Sequence, residues 1–319
     1  MFIKILLLII GILLILLSAC IIFANAVFNI CFKRDRDPEA TVENGIRHIE
    51  AGGGNGAAIR SGREWMLSQD VEHHYITSRD GLKLHGIYIP NKDENYNRVA
   101  VLVHGYRGSP SFDFSAAARF YFDSGFSLFL PDQRTHGESE GEYITFGSFE
   151  RYDIVDWCKY IDNYTGNKCE FILSGVSMGA TTVLLAAADP EMIMLNYITA
   201  DCGFTDPQRI FTDVFRQWYH LPYFPLLNIA RVICRKKAKF DFKEFSTLDA
   251  VKKLPAPVTF IHGEADTFVI PQNSRDNYEA CTGQKNIIIV PGAAHGLSYI
   301  VDPETIKKEL TSIFNTYFS

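Results

Sequence analysis

The chain opens on an unbroken apolar run. From Ile5 to Phe28 no residue carries a charge, and about 24 helical residues at ~1.5 Å each are enough to cross the ~30 Å hydrocarbon core of a bilayer. The run predicts one transmembrane helix within residues 1–32. A cleaved signal peptide is the competing reading, but its apolar region is usually about 7–15 residues long. Leu17-Ser18-Ala19-Cys20 also has the form of a lipoprotein cleavage site that would lipidate Cys20, and the apolar run continuing through Ile21, Ile22 and Phe23 argues against it.

Residues 33–70 mix charged and small side chains, and Gly52-Gly53-Gly54-Asn55-Gly56 is a flexible breaker. A phosphate loop would need a strand before it and Lys-Ser/Thr after it. The stretch reads as a linker with a short helix. Alternation begins at Val71: Val71–Thr77 and Leu82–Ile89 predict two strands joined through Arg79-Asp80-Gly81. Short apolar runs follow at Val99–Val103, Ser127–Leu130, Glu170–Leu173, Tyr197–Ala200, Val258–Ile261 and Ile287–Val290, the pattern of strands buried on both faces. Helical segments at about 112–124, 149–163, 178–188, 271–281 and 303–317 alternate with them. The order predicts an α/β fold, a mostly parallel doubly wound sheet in one catalytic domain spanning 71–319, interrupted by an insertion at about 203–250.

Composition removes several function classes. The net charge of −6, from 31 basic and 37 acidic residues, carries no polycationic footprint, so nucleic acid is not an expected partner. Seven scattered cysteines without a Cys-x-x-Cys pair suggest neither zinc nor a disulfide framework, and no metal or cofactor is expected. Lys33, Arg34 and Arg36 after the apolar run outweigh Lys4 and the α-amine before it, so the charge balance leans towards a cytoplasmic catalytic domain.

Candidate chemistry starts at Gly175-Val176-Ser177-Met178-Gly179. A predicted strand enters this pentapeptide and a helix of small residues, Ala180-Thr181-Thr182-Val183-Leu184, leaves it. In that setting the glycines clear space around a strained turn that exposes the Ser177 hydroxyl, and the following helix start offers N–H groups to a developing anion. Ser177 is the candidate nucleophile.

From about Val71 to its end the chain resembles the α/β-hydrolase superfamily, and within it the bacterial serine aminopeptidase-like and monoacylglycerol lipase-like esterases. His104-Gly105-Tyr106-Arg107-Gly108-Ser109, after the strand Val99–Val103, resembles the family's oxyanion loop. The resemblance implies that the backbone N–H groups of Tyr106 and Met178 hold the carbonyl oxygen as it becomes negative. It also implies that the triad members follow in the order Ser, Asp, His. His262-Gly263-Glu264-Ala265-Asp266 resembles the loop bearing the acid, and Pro291-Gly292-Ala293-Ala294-His295-Gly296 the loop presenting the base. Asp266 and His295 are the implied partners of Ser177. Asp201, at the end of its own strand, is the alternate acid, while Glu264 departs from the family pattern.

Other polar residues carry blander readings. His104 reads as a turn histidine satisfied by backbone groups. Asp132-Gln133-Arg134-Thr135-His136-Gly137-Glu138-Ser139 reads as a loop-bracing hydrogen-bond network near the site. His73, His74 and His220 show no partner pattern. The insertion reads as a helical lid in which Phe211, Phe215, Trp218 and Phe224 line the approach to Ser177 or, alternatively, pack the lid onto the body. Arg235-Lys236-Lys237 is a solvated charged face or a contact to anionic headgroups.

Three functions compete. The leading one is a serine hydrolase cleaving carboxylic esters, with a lipophilic substrate favoured by the lid aromatics and the membrane tether. An aminopeptidase-like amide hydrolase needs an acidic residue for the α-amine that the sequence does not locate. A non-catalytic binding module on a hydrolase scaffold is disfavoured because Ser177, Asp266 and His295 are all present. Haloalkane and epoxide chemistry is disfavoured as well, because those relatives place Asp where this chain has Ser177.

Overall fold

The computed structural model describes residues 1–35, 37–51, 54–91, 97–166, 169–193, 195–217 and 223–318. Among these, eight strands form one sheet: β1 (Glu72–Thr77), β2 (Lys83–Ile89), β3 (Arg98–Val103), β4 (Ser127–Pro131), β5 (Glu170–Val176), β6 (Tyr197–Asp201), β7 (Val258–Gly263) and β8 (Lys285–Val290). Their order is β1-β2-β4-β3-β5-β6-β7-β8. β1, β2 and β4 pair antiparallel, and the remaining neighbours are parallel. Gly81 at φ +90° closes the entry hairpin, a conformation an L side chain resists. Every predicted strand is present, displaced by up to three residues at its ends.

The helices follow in chain order as α1 (Phe2–Phe32), α2 (Pro38–Ala51), α3 (Gly56–Leu67), α4 (Pro110–Asp113), α5 (Ala118–Asp123), α6 (Glu150–Tyr164) and α7 (Met178–Ala187). The insertion contributes α8 (Pro207–Gln217), α9 (Leu226–Lys237) and α10 (Thr247–Ala250), before α11 (Gln272–Ala280), α12 (Ser298–Val301) and α13 (Pro303–Tyr317). Trp157, Val183 and Leu184 from α6 and α7 pack with Phe129 and Phe171 in one core layer. Tyr121, Leu310 and Phe314 from α5 and α13 pack with Leu102 and Ile172 in the other. Strands buried on both faces are what make the apolar runs continuous instead of alternating.

Two local expectations need correction. The stretch expected as a linker with a short helix is two helices, α2 and α3, docked on the body: Val42, Ile46 and Ile59 form a buried cluster with Phe112 and Ile300 against it. The helix expected over 112–124 is broken into α4 and α5. The break lies where Gly62 of α3 passes so close to the Ser115 carbonyl that a Cβ there would collide with it.

Helix α1 has two parts. Its apolar side chains are mostly exposed from Phe2 to Phe23, whereas Ala24, Phe28 and Phe32 are buried. The Phe28 and Phe32 rings stack at 4.8 Å, and Phe32 also meets Phe146, Phe211 and Phe240. Ile144 N–H donates to the Phe32 carbonyl at 2.7 Å and Arg34 N–H to the Glu142 carbonyl at 3.1 Å. The last turns of α1 therefore belong to the body. About 22 residues remain before them, ~33 Å of helix, still long and apolar enough to cross a bilayer.

This division predicts unequal effects of two similar truncations. Phe32→Ala should lower unfolding stability by about 3–5 kcal/mol, the range for emptying a buried aromatic site, while Phe2→Ala at the exposed end should change it by less than ~0.5 kcal/mol. Denaturant titration of the detergent-solubilised full chain checks both. Equal effects would show that the end of α1 is not part of the core.

Candidate active site

Ser177 stands between the end of β5 and the first residue of α7, with backbone at φ +56°, ψ −118°. That region costs a side-chain-bearing residue on the order of 1–3 kcal/mol. It is sustained by close packing: a Cβ at Gly175 would collide with the Gly179 carbonyl, and one at Gly179 with the Val103 carbonyl. Ser177 N–H donates to the Asp201 carbonyl at 2.8 Å, which tethers the turn to β6.

The Ser177 hydroxyl oxygen lies 2.8 Å from Nε2 of His295, and Nδ1 of the same ring lies 2.6 Å from Oδ2 of Asp266. The other Asp266 oxygen accepts the N–H groups of Phe268 and Val269, both at 2.9 Å. His262, buried on β7, approaches Oδ2 at 3.2 Å while its Nε2 lies 2.7 Å from the Val269 carbonyl. Burial pushes the Asp266 carboxyl up, but the hydrogen bonds from His262 and His295 outweigh it and hold the group well below the usual carboxylate range. An ionised Asp266 favours the tautomer with the proton on His295 Nδ1, leaving Nε2 free to accept from Ser177.

Asp201, the alternate acid, is engaged elsewhere: its carboxylate accepts from the Ser298 hydroxyl at 2.9 Å, and burial raises its pKa. Glu264 is exposed. His104 is fully buried, with Nδ1 at 2.8 Å from the Gly105 carbonyl and Nε2 accepting from Gln133 N–H at 3.1 Å. Burial lowers its pKa to about 3, so the ring stays neutral and braces the loop. The Asp132–Ser139 segment is the expected network. Arg134 pairs with Asp153 at 2.7 Å and Asp80 at 2.9 Å, Asp132 accepts from His85, and His136 Nε2 accepts from Arg107 N–H.

Met178 is the first residue of α7, where backbone N–H groups lack intrahelical acceptors. Tyr106 stands opposite on a loop held from two sides. Asp113 accepts from Gly105 N–H at 2.7 Å. The Tyr106 hydroxyl donates to the Cys31 carbonyl at 2.9 Å, and the Arg107 guanidinium reaches the carbonyls of Ile30 and Lys33. The carbonyls at the end of α1 are thus capped by the loop next to the nucleophile. Sequence reasoning missed both braces, since neither a lone Asp113 nor the backbone of Cys31 carries a local signal.

A cavity of about 260 Å³ lies beside Ser177 and His295. Its walls are the Gly105–Gly108 loop, Phe112 and Asp113, together with Val42, Gly45 and Ile49 of α2 and Ile59 of α3. Phe211, Phe215 and Phe224 are not among the described residues that line it, and Trp218, like Tyr219 and His220, lies outside the described residues. Phe211 packs on Phe32, Phe146 and Phe242, and Phe224 is largely exposed. For Phe211 the packing alternative holds, since its ring is covered by Phe32 at the end of α1 and by the body.

Among the described residues two groups offer donor atoms with metal-like proximity, Cys202 with Asp266 and His295, and His73 with His85 and Glu138. In the first, burial raises the Cys202 thiol, so it is not a ready thiolate, and the other two are already bonded to each other. In the second, His73 and His85 share a contact at 2.9 Å and His85 turns its other nitrogen to Asp132 at 2.7 Å. Both read as hydrogen-bonded chains.

Fold and site together define a hydrolase of the doubly wound α/β class, with a serine in the strand-to-helix turn. The chain belongs to the alpha/beta hydrolase family, whose model matches residues 100–308. The uncharacterized protein YqkD of Bacillus subtilis is 29% identical over 188 residues, which span 59% of this chain and 62% of that protein. A bifunctional esterase/perhydrolase of Acinetobacter calcoaceticus is 23% identical over 283 residues, covering 76% of this chain and 99% of its own. Among solved structures, the Pyrococcus furiosus esterase Pf2001 superposes with a TM-score of 0.65 at 21% identity, over 80% of this chain and 94% of that one.

The hydrogen-bond pattern separates the two candidate acids. Asp266→Asn should lower the rate at which Ser177 reacts with an organophosphonate by about 10⁴-fold, as the corresponding change does in another triad, and Asp201→Asn by less than tenfold. A time course of adduct formation on each purified variant checks this. The reverse ranking would assign the acid to Asp201.

Proposed function

We propose that the protein is a membrane-tethered serine esterase in which Ser177, His295 and Asp266 act as a triad. The observation that carries this reading is the continuous chain of short contacts from the Ser177 hydroxyl through His295 to Asp266, at 2.8 and 2.6 Å, opening on a cavity. His295 Nε2 takes the hydroxyl proton as Ser177 oxygen bonds to the ester carbonyl carbon. The carbonyl oxygen becomes an oxyanion and accepts from the N–H groups of Tyr106 and Met178, a contribution of about 2.7–4 kcal/mol per donor in other enzymes. His295 then returns the proton to the leaving alcohol, and an acyl group remains on Ser177. Water, deprotonated by the same nitrogen, releases the acid and restores the serine.

The esterase named among the relatives and those among the structural neighbours support an ester substrate. The amide alternative finds one acid on the cavity wall, Asp113, which an α-amine would need. That carboxylate is buried and already engaged by Gly105 N–H, which it would share with an incoming amine, and the ester reading is preferred. On the same reading, the part of α1 before Ala24 spans the membrane, and Lys33, Arg34 and the basic end of α9, Arg235 to Lys237, sit at the cytoplasmic headgroup level. The catalytic unit then includes the end of α1, α2 and α3 as well as 71–319.

Ser177→Ala should abolish hydrolysis of p-nitrophenyl esters, by about 10⁶-fold in kcat, with unchanged denaturation midpoint. Retained turnover would refute the role of Ser177, and absence of turnover in the parent would favour the binding-module alternative. Full-length protein should stay in the membrane pellet through high-salt washes and leave it only in detergent, since screening does not release a spanning helix. Release by salt would refute the anchor.

A further inference from the structure

We propose that helices α2 and α3 form the acyl pocket of the esterase, and that its substrates are esters of short to medium apolar acyl chains. This rests on the esterase reading and adds to it the location and size of the specificity site. The cavity beside Ser177 has one wall from the hydrolase body and the other from the segment joining it to the membrane helix: Val42, Gly45 and Ile49 of α2 and Ile59 of α3 face Phe112 and Ile300. All six are apolar or lack a side chain. Away from the polar end at Ser177, where Arg107 and Asp113 also line the cavity, these six residues offer a hydrocarbon chain an apolar surface.

The wall is built to hold its position. Arg60 of α3 binds Glu43 of α2 at 2.9 and 3.1 Å, and its Nε lies 3.5 Å from Glu50. The side chain of Asn55 caps α3 by accepting from Ala58 N–H at 3.0 Å. Gly62 seats α3 directly on the backbone of Ser115. Gly45 is the informative position, because a helix-interior glycine lowers stability by about 0.5–1 kcal/mol relative to alanine. A Cβ at Gly45 would stand 3.1 Å from the Phe112 ring. Glycine there lets α2 sit directly against Phe112, and a branched side chain in its place would displace this wall of the cavity.

Size and location narrow the class. The 260 Å³ cavity has room for a short or medium acyl chain. Tyr106 and Arg107, on the cavity wall, also bind the carbonyls that end α1. The pocket therefore lies at the end of the membrane helix, where amphiphilic esters collect at the headgroup boundary.

The test measures kcat/KM for the full-length protein in detergent on p-nitrophenyl esters from acetate to dodecanoate. For the parent, kcat/KM should rise from acetate to a maximum between butyrate and octanoate and fall at dodecanoate. Gly45→Val should lower the octanoate-to-acetate ratio at least tenfold, and Ile49→Ala, which enlarges the pocket, should raise the dodecanoate-to-acetate ratio at least fivefold. The two changes have opposite signs, so a folding defect in one leaves the other decisive. His48→Ala, on the exposed side of α2, should leave the profile unmoved. Ratios unchanged in both pocket variants of an active esterase would overturn this inference and leave the esterase reading intact. No hydrolysis of any ester by the parent would overturn both.

Discussion

The backbone at Ser177 is held at φ +56° by its neighbours, and the rest of the site is arranged around that one strained residue. Gly175 and Gly179 permit it because there is no room for a Cβ at either position, and the Asp201 carbonyl fixes it by accepting Ser177 N–H. The strain has a geometric return. A relaxed turn would let the hydroxyl lie back along the sheet, whereas this one lifts it to His295 and sets the start of α7 beneath the place where an oxyanion would form. The parallel strands to either side matter chiefly because their ends deliver Asp266 and His295 on loops to the same point.

That dependence extends to the end of α1. Phe28 and Phe32 share a cluster with Met178, and the carbonyls of Ile30, Cys31 and Lys33 are bound by Tyr106 and Arg107. Both residues proposed to stabilise an oxyanion are therefore packed against, or bonded to, the end of α1. A helix joined by a slack linker would leave the catalytic unit indifferent to it. Here α1 ends inside the unit, and its orphan carbonyls, which any helix terminus must satisfy, are satisfied by the loop at the site.

What was legible in the sequence follows from how local each signal is. Six strands show as short apolar runs because burial on both faces removes alternation, the first two show by alternation, and Ser177 shows because a strand, a small-residue turn and a helix are contiguous. Asp266 and His295 stand in loops after predicted strands, and the structure brings both to Ser177. The lid was legible as an insertion but not in its facing, because what covers Phe211 is Phe32, remote in sequence. Helix α2 carried its own signal in Val42, Ile46 and Ile49 at helical spacing, and the glycines that follow masked it as a linker. Asp113 gave none, since only the folded loop shows which backbone N–H it holds.

The central claim is that Ser177 carries the acyl group during ester cleavage. Rapid acid quench of the enzyme turning over p-nitrophenyl butyrate, followed by proteolysis and mass spectrometry, tests it most directly. A butyryl mass increment is expected on the peptide containing Ser177, disappearing once substrate is exhausted. Steady ester hydrolysis with no acyl modification at Ser177, or with the increment on another residue, would contradict it.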